Sequence, residues 1–402
     1  MRHFRHRRFC VPIRRPSQRL ALRLRLLWRR IDVFFFSYHF SFTTPQTGVT
    51  MSVLPYFSVF IFHLCIVLGY WLGGAGNFLA PLVIFVVVPL LDVVFGRDSR
   101  NYTAEEYEEL EHRLSFRFVT VLYALVQLAL VVWGAYALGW QPKSMQWWEM
   151  LGLALSIGIV NGNGINFAHE LLHKPTKFEQ FCGKALLMSV SYMHFFIEHI
   201  RGHHVRIATP EDPASARRNE SFYAFFPRTV IGSWQSAWEL ETSRLRKRNI
   251  PVWHWRNQML WFTALPILCA TALGLTFGGI AVAFFVFQSY VAIQELEMIN
   301  YVEHYGLSRK KLPNGRYENV SAVHSWEARE ALTNTLLIKL QRHADHHINP
   351  IRRYQSLRVF EESPQMPTGY PGMMLMSLVP PLFFRVMNPR IDDHEKRLQD
   401  AL

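Results

Sequence analysis

The chain has 402 residues, half of them hydrophobic and only 18% charged, with a mean hydropathy of +0.06. So apolar a composition excludes an ordinary soluble enzyme and a disordered segment, and it places the protein in a membrane. The net charge of +13 does not point to nucleic acid, because eleven Arg against one Asp in the first fifty residues supply most of it.

Residues 1–50 read as a basic N-terminal extension. Its composition resembles a targeting segment, although Met51 at the edge of the first apolar stretch suits a downstream translation start equally well. Residues 51–390 read as one membrane domain and 391–402 as a polar C-terminal tail. Crossing a bilayer takes about 20 apolar residues in a helix. Uncharged stretches of that order cover 52–73, 77–91, 118–141 and 150–168, and one without a single charge covers 257–294. The last is long enough for two helices, with Gly274 and the Gly278-Gly279 pair marking the turn between them, which makes six spans. Residues 185–197 are apolar enough to be mistaken for another span but read as a re-entrant or interfacial helix. Residues 373–384, broken by Pro380-Pro381, read as a segment docked on the membrane surface.

Loop charge sets the expected orientation, since Lys and Arg concentrate in cytoplasmic loops. The segments after the first, third and fifth stretches hold at most one Lys, whereas the N-terminal stretch, 96–117 and 169–256 are rich in Arg. Both termini and the long loop 169–256 are therefore expected in the cytoplasm. The four cysteines, Cys10, Cys65, Cys182 and Cys269, form no CxxC pair and suggest no structural zinc, iron–sulfur cluster or disulfide frame.

Nine of the eighteen histidines fall in four short clusters. They are His169-Glu170-Leu171-Leu172-His173, Glu198-His199-Ile200-Arg201-Gly202-His203-His204, Glu303-His304 and His343-Ala344-Asp345-His346-His347. Residues three or four apart share a helix face, so 169/173, 199/203, 343/347 and 343/346 can each aim two imidazoles at one point. One tetrahedral metal takes four ligands, so nine candidates suit two metals with four or five nitrogens each. Each cluster carries an acid, and Glu170, Glu198, Glu303 and Asp345 are the candidates to orient a ring from another cluster or to bind metal directly. The other nine histidines, among them His194 and His324 close to clusters, read as structural. A histidine-rich dinuclear site beside an apolar bundle suits activation of dioxygen against a lipophilic substrate, because an aliphatic C–H bond yields to a redox metal such as iron and not to acid–base chemistry.

The motifs ending in His173-Lys174, His203-His204, Asn300-Tyr301-Val302-Glu303-His304-Tyr305-Gly306-Leu307 and Leu340-Gln341-Arg342-His343-Ala344-Asp345-His346-His347 closely resemble the signatures of membrane alkane 1-monooxygenases. Pro89-Leu90-Leu91-Asp92, Thr209-Pro210-Glu211-Asp212-Pro213 and Tyr354-Gln355-Ser356-Leu357-Arg358 add to the likeness, which runs over 54–389. The resemblance implies an all-α, integral membrane six-helix bundle with a cytoplasmic histidine-rich di-metal site. It further implies a di-iron centre held by His169, His173, His199, His203, His204, His304, His343, His346 and His347, hydroxylating alkane termini with O2 and electrons from rubredoxin. The chain departs from the family after the third motif. Where members commonly read His-His-Ser-Trp-Asn-Ser-Asn-His, this chain reads Val323-His324-Ser325-Trp326-Glu327-Ala328-Arg329-Glu330, which leaves another hydrophobic substrate open.

No flavin-binding glycine motif and no cysteine quartet is present, so electrons are expected from a small acidic carrier resembling rubredoxin. Arg217, Arg218, Arg244, Arg246, Lys247 and Arg248 are the candidate docking residues. On the second span Ile84, Val87, Val88 and Leu91 recur at helical spacing and are the candidates to line a slot for the alkyl chain. The alternatives are a related di-iron hydroxylase or desaturase, a metal transporter, and an intramembrane zinc protease, since His169 to His173 spells HExxH.

Overall fold

The computed structural model describes residues 52–400. The N-terminal extension lies outside them. Among the described residues every regular element is helical, joined only by isolated β-bridges such as Arg97 with Glu330. Six helices are long and apolar enough to cross a membrane: Leu54–Leu72, Gly74–Phe95, Leu114–Gly139, Trp147–Leu172, Gln258–Phe277 and Gly279–His304. This is a multi-pass membrane protein.

The fourth span is the axis of the bundle, 83% of its apolar window being buried against 11% for the fifth, whose side chains face outward. The first and second spans meet at a hairpin that only glycine permits. A side chain on Gly69 would lie 2.1 Å from the Gly76 carbonyl, and Gly73 turns the corner at φ 69°. Lys143, the one lysine on that side, donates to the Tyr70 and Trp71 carbonyls at 2.7 and 3.0 Å and so caps the first span. The second span winds as a π-helix over Val83–Val87 just before Pro89, which has no N–H to continue the regular ladder.

Outside the spans, α1 (Ala104–His112) starts at a capping box formed by Thr103 and Glu106. Helix α2 (Lys177–Ser189) ends where Ser191 takes a φ of 56°, so the apolar run 185–197 folds back and does not cross. The Gln288 amide seals this turn by donating to the Ser189 carbonyl at 2.8 Å. Next come α3 (Phe222–Arg246), α4 (Ala331–Leu336), α5 (His343–Ile348), α6 (Tyr370–Ser377) and α7 (Pro380–Asp400). Within 373–384, Met373 and Phe383 are buried with Tyr301 and Tyr305 of the sixth span and its end, while Leu375, Val379 and Leu382 are exposed. Helix α7 continues into the polar tail, where Ile391 is fully buried in the same cluster.

Charged clamps fix these helices to the span ends. Glu179 of α2 accepts from Arg117 at 2.7 Å and from Arg353 at 2.9 Å, and it also takes the Thr176 hydroxyl at 2.5 Å. Burial alone would raise this carboxyl, but its two guanidinium partners and Thr176 hold it down at about 2. Glu179→Ala strands Arg353 and is expected to lower stability by about 3 kcal/mol, the lower end for a broken buried pair because Arg117 is partly solvated. Thermal inactivation in detergent reads this, and an unchanged midpoint rejects the clamp.

Candidate metal centre

The nine clustered histidines converge in two groups. Ring nitrogens of His169, His173, His199, His204 and His346 lie within 4.8 Å of one another, as do those of His203, His304, His343 and His347. The groups adjoin, with the His204 and His347 rings 4.5 Å apart. His169 and His304 end the fourth and sixth spans, and an even number of crossings brings both to one face.

Local structure decides which ring joins which group. His169 and His173 pair at one turn's spacing, as do His343 and His347. The expected pair 199/203 is split. Residues His199–His203 form a π-helix, whose wider turn matches i with i+5, so His199 meets His204 with their Nε2 atoms 3.0 Å apart. His203 turns to the other group. The pair 343/346 is split as well, His346 facing His204 at 3.2 Å while His343 faces His347 at 2.8 Å. Two nitrogens bound to one ion at about 2.1 Å each stand roughly 3 to 3.5 Å apart.

The donor set fits cations. Nε2 of His169, His173, His203 and His304 is buried with no hydrogen-bond partner, which an imidazole tolerates poorly unless a metal takes the lone pair. Burial, then the neighbouring rings, pushes His199, His204, His343, His346 and His347 well below the usual imidazole range. These rings are neutral at pH 7, the form that binds metal.

The acids divide differently from expectation. Glu303 touches a ring, its carboxylate 3.2 Å from His343 Nε2 and accepting from the Tyr370 hydroxyl at 2.7 Å. The other three face cations. Glu170 pairs with Lys174 at 3.0 Å, Glu198 with Arg206 at 2.6 Å, and Asp345 with Arg358 at 2.9 Å. Helix neighbours point about 100° apart, so an acid beside an inward histidine is turned away from it. Glu198 is pushed up to about 7 by burial, in spite of Ser236 and Arg206. The residue that sequence reasoning missed is Asp212, buried and 2.9 Å from His203 Nδ1. Burial raises its carboxyl, yet the His203 ring and the Ser215 hydroxyl hold it below the usual range. Its only sequence signal was the Pro210-to-Pro213 loop after the second cluster. His194 and His324 join neither group. His194 packs on Tyr192 at 4.4 Å and His324 accepts from the Ser321 amide at 3.0 Å.

A small cavity of about 30 Å³ has a lining that includes Phe62, Ile84, Val88, Leu337, Met374 and Tyr370, the last being the hydrogen-bond partner of Glu303. Val87 and Leu91 do not line it, being 37% and 39% exposed. The π-turn puts Ile84 and Val88 inward and these two outward. The basic candidates also separate. Arg217 and Arg218 precede α3 and the other four lie at its far end, about 37 Å away for a helix of 25 residues, too far for one small patch.

Helical membrane bundle and paired histidine groups together define a membrane metalloenzyme, and residues 145–375 match the fatty acid desaturase family. The chain is 42% identical to alkane 1-monooxygenase 2 of Pseudomonas aeruginosa, covering 81% of this chain and 88% of that protein. It is 42% identical to an alkane 1-monooxygenase of Pseudomonas putida, covering 81% of each. A more distant relative, the xylene/toluene monooxygenase hydroxylase component XylM of Pseudomonas putida, is 26% identical over 86% of this chain and 91% of that protein. The chain belongs to the alkane 1-monooxygenase family and is a membrane alkane monooxygenase.

Asp212→Asn removes the carboxylate that orients His203 and is expected to weaken metal binding about tenfold to a hundredfold, read as ion retained against a chelator. Since the five shifted rings stay neutral as pH falls past the ordinary value of 6.5, protons displace metal only below it. Metal content titrated against pH should have its midpoint under 6.5, and a midpoint above it contradicts the neutral-ring assignment.

Proposed function

We propose that this enzyme hydroxylates the terminal carbon of alkanes, using two iron ions, O2 and electrons from a rubredoxin-like carrier. The observation that carries the reading is the convergence of nine histidines into adjoining groups of five and four at one end of a membrane bundle. His169, His173, His199, His204 and His346 would hold one ion, and His203, His304, His343 and His347 the other. Iron bound there supplies the activation of dioxygen that an unactivated C–H bond requires.

The protein's own groups do the rest. Asp212 keeps the His203 ring oriented, and Glu303, fixed by Tyr370, sits at His343. Ile84 and Val88 give the alkyl chain an apolar wall in the cavity that Tyr370 also lines, which positions the chain by shape where an alkane offers no polar handle. On this reading the protein sits in a bacterial inner membrane with both termini and the histidine groups facing the cytoplasm, where a small acidic redox carrier would reach the basic loops. A zinc-protease reading of HExxH lacks support, since Glu170 is tied to Lys174 at 3.0 Å and to the Tyr354 amide at 3.2 Å.

Each of the nine histidines changed singly to Ala should lower oxidation by about a hundredfold or more and reduce bound iron. Membranes with equal protein, supplied with rubredoxin and its reductase, should convert an alkane to the primary alcohol. Two histidine variants with full activity reject the ligand set, an alkene product rejects hydroxylation, and turnover by purified protein with NADH and O2 alone rejects the carrier.

A further inference from the structure

The sixth span carries three glutamates, and their surroundings differ. Glu297 is satisfied by Tyr192 at 2.7 Å, Thr229 at 2.9 Å and Asn300 at 3.1 Å. Glu303 is held by Tyr370 at 2.7 Å. Glu295 has no hydrogen bond or ion pair among the described residues, and its buried Oε2 has no partner. A carboxyl inside a membrane-spanning helix is expensive and marks a functional position by default.

Glu295 lines the same cavity as Ile84 and Val88, and so does Asn163 of the fourth span. Asn163 is 5% exposed, and neither its amide nitrogen nor its amide oxygen has a partner. The fourth span makes room for the acid. A side chain on Gly162 would lie 2.0 Å from Glu295 Oε2, so only glycine there admits the carboxyl. An apolar slot therefore contains three unmatched polar atoms, each costing about 1 to 3 kcal/mol when buried without a partner. An alkane satisfies none of them.

We propose that Asn163 and Glu295 form a polar subsite that binds the hydroxyl group of a medium-chain or long-chain primary alcohol, whose far methyl end is then presented to the metal centre. The inference rests on the reading of this cavity as the far end of the alkyl slot. An amide offers a donor and an acceptor and the carboxyl another acceptor, which matches a hydroxyl that both donates and accepts. The cavity volume of about 30 Å³ takes a group of that size. Asn163 precedes His169 by six residues and Glu295 precedes His304 by nine, which sets the subsite about 9 to 13 Å from the ligands along the helices. The hydroxyl and the oxidised carbon thus lie at opposite ends of one chain. One atom of O2 enters the terminal C–H bond and the other leaves as water, with two protons and with two electrons from the redox carrier. The product is a diol.

The test compares dodecanol with dodecane on the purified protein, by ligand-induced thermal stabilisation and by turnover with the reconstituted carrier. Glu295→Leu and Asn163→Leu should each raise the ratio of KM for dodecanol to KM for dodecane about tenfold and shrink the stabilisation by dodecanol. Glu295→Gln, which keeps hydrogen-bonding atoms, should retain most of the preference, and this separates recognition from a packing defect. Ratios that stay at the wild-type value in both Leu variants overturn the subsite, as does wild-type protein stabilised equally by both ligands, which would leave the pair holding water only. Absence of any oxidation by wild type would instead count against the proposed activity, while stabilisation by dodecanol, which needs no turnover, still decides whether the subsite exists.

Discussion

Nine imidazoles packed into two adjoining groups, seven of them buried and two half-buried, are the constraint on which the molecule depends. Packed together without a cation they leave several ring nitrogens unmatched, and each such atom works against folding by about 1 to 3 kcal/mol. Protonation offers no escape, because burial and the neighbouring rings both oppose it. A structure held under these conditions is one shaped for bound metal, and the surrounding fold must hold the rings in place. A bilayer accepts only helices whose backbone bonds are internal, so the side chains that form such a centre come from helix ends and the segments covering them.

That cover is anchored by charge. In the last turn of the second span Asp92 accepts from the Thr333 amide at 3.0 Å and so docks α4. Asp98 takes Arg342, the residue before His343, at 2.7 Å, and Asp345 takes Arg358 at 2.9 Å. The ligand helix α5 is thereby gripped by an ion pair just before it and another within it. Several of these ions are largely out of water, where the loss of one partner is severe. Of the acids beside the histidines, Glu170, Glu198 and Asp345 therefore matter to the site through the backbone they fix, while Glu303 and the loop residue Asp212 touch the rings themselves.

The spans were legible because hydropathy over a bilayer's thickness is imposed by the solvent, not by tertiary detail. Their ends were less so. The third span begins at Leu114, ahead of the stretch that starts at 118, because the Arg117 charge is matched by Glu179 and need not leave the helix. The sixth continues to His304, past the first charge after 294, because its acids face the protein interior and not lipid. The histidine spacing revealed the candidate ligands but not their partition. A π-turn at His199–His203 has no counterpart in a 3.6-residue pattern, so 199/203 could only be read as one face. The same kind of turn at Val83–Val87 leaves Val87 and Leu91 outside the cavity that Ile84 and Val88 line. Asp212 was hidden for another reason, as a loop residue reaches its partner through tertiary folding that leaves no period in the sequence.

The segment 323–330 shows how a departure in sequence can preserve local chemistry. Trp326 is buried and its indole donates to the Tyr305 carbonyl at 2.9 Å, which ties this segment to the residue after His304. Its charges are absorbed nearby, Arg329 by Glu361 at 3.1 Å and Glu330 by Arg97 at 3.7 Å. Glu327 stands where the family motif that this segment resembles has asparagine. Burial pushes its carboxyl up to about 8 against the opposing pull of Arg329 and Arg342, so at pH 7 it is mainly the neutral acid. A neutral carboxylic acid donates and accepts as a primary amide does, and it brings no charge toward the metal centre. The substitution is thus conservative in hydrogen bonding, although the letters differ in charge.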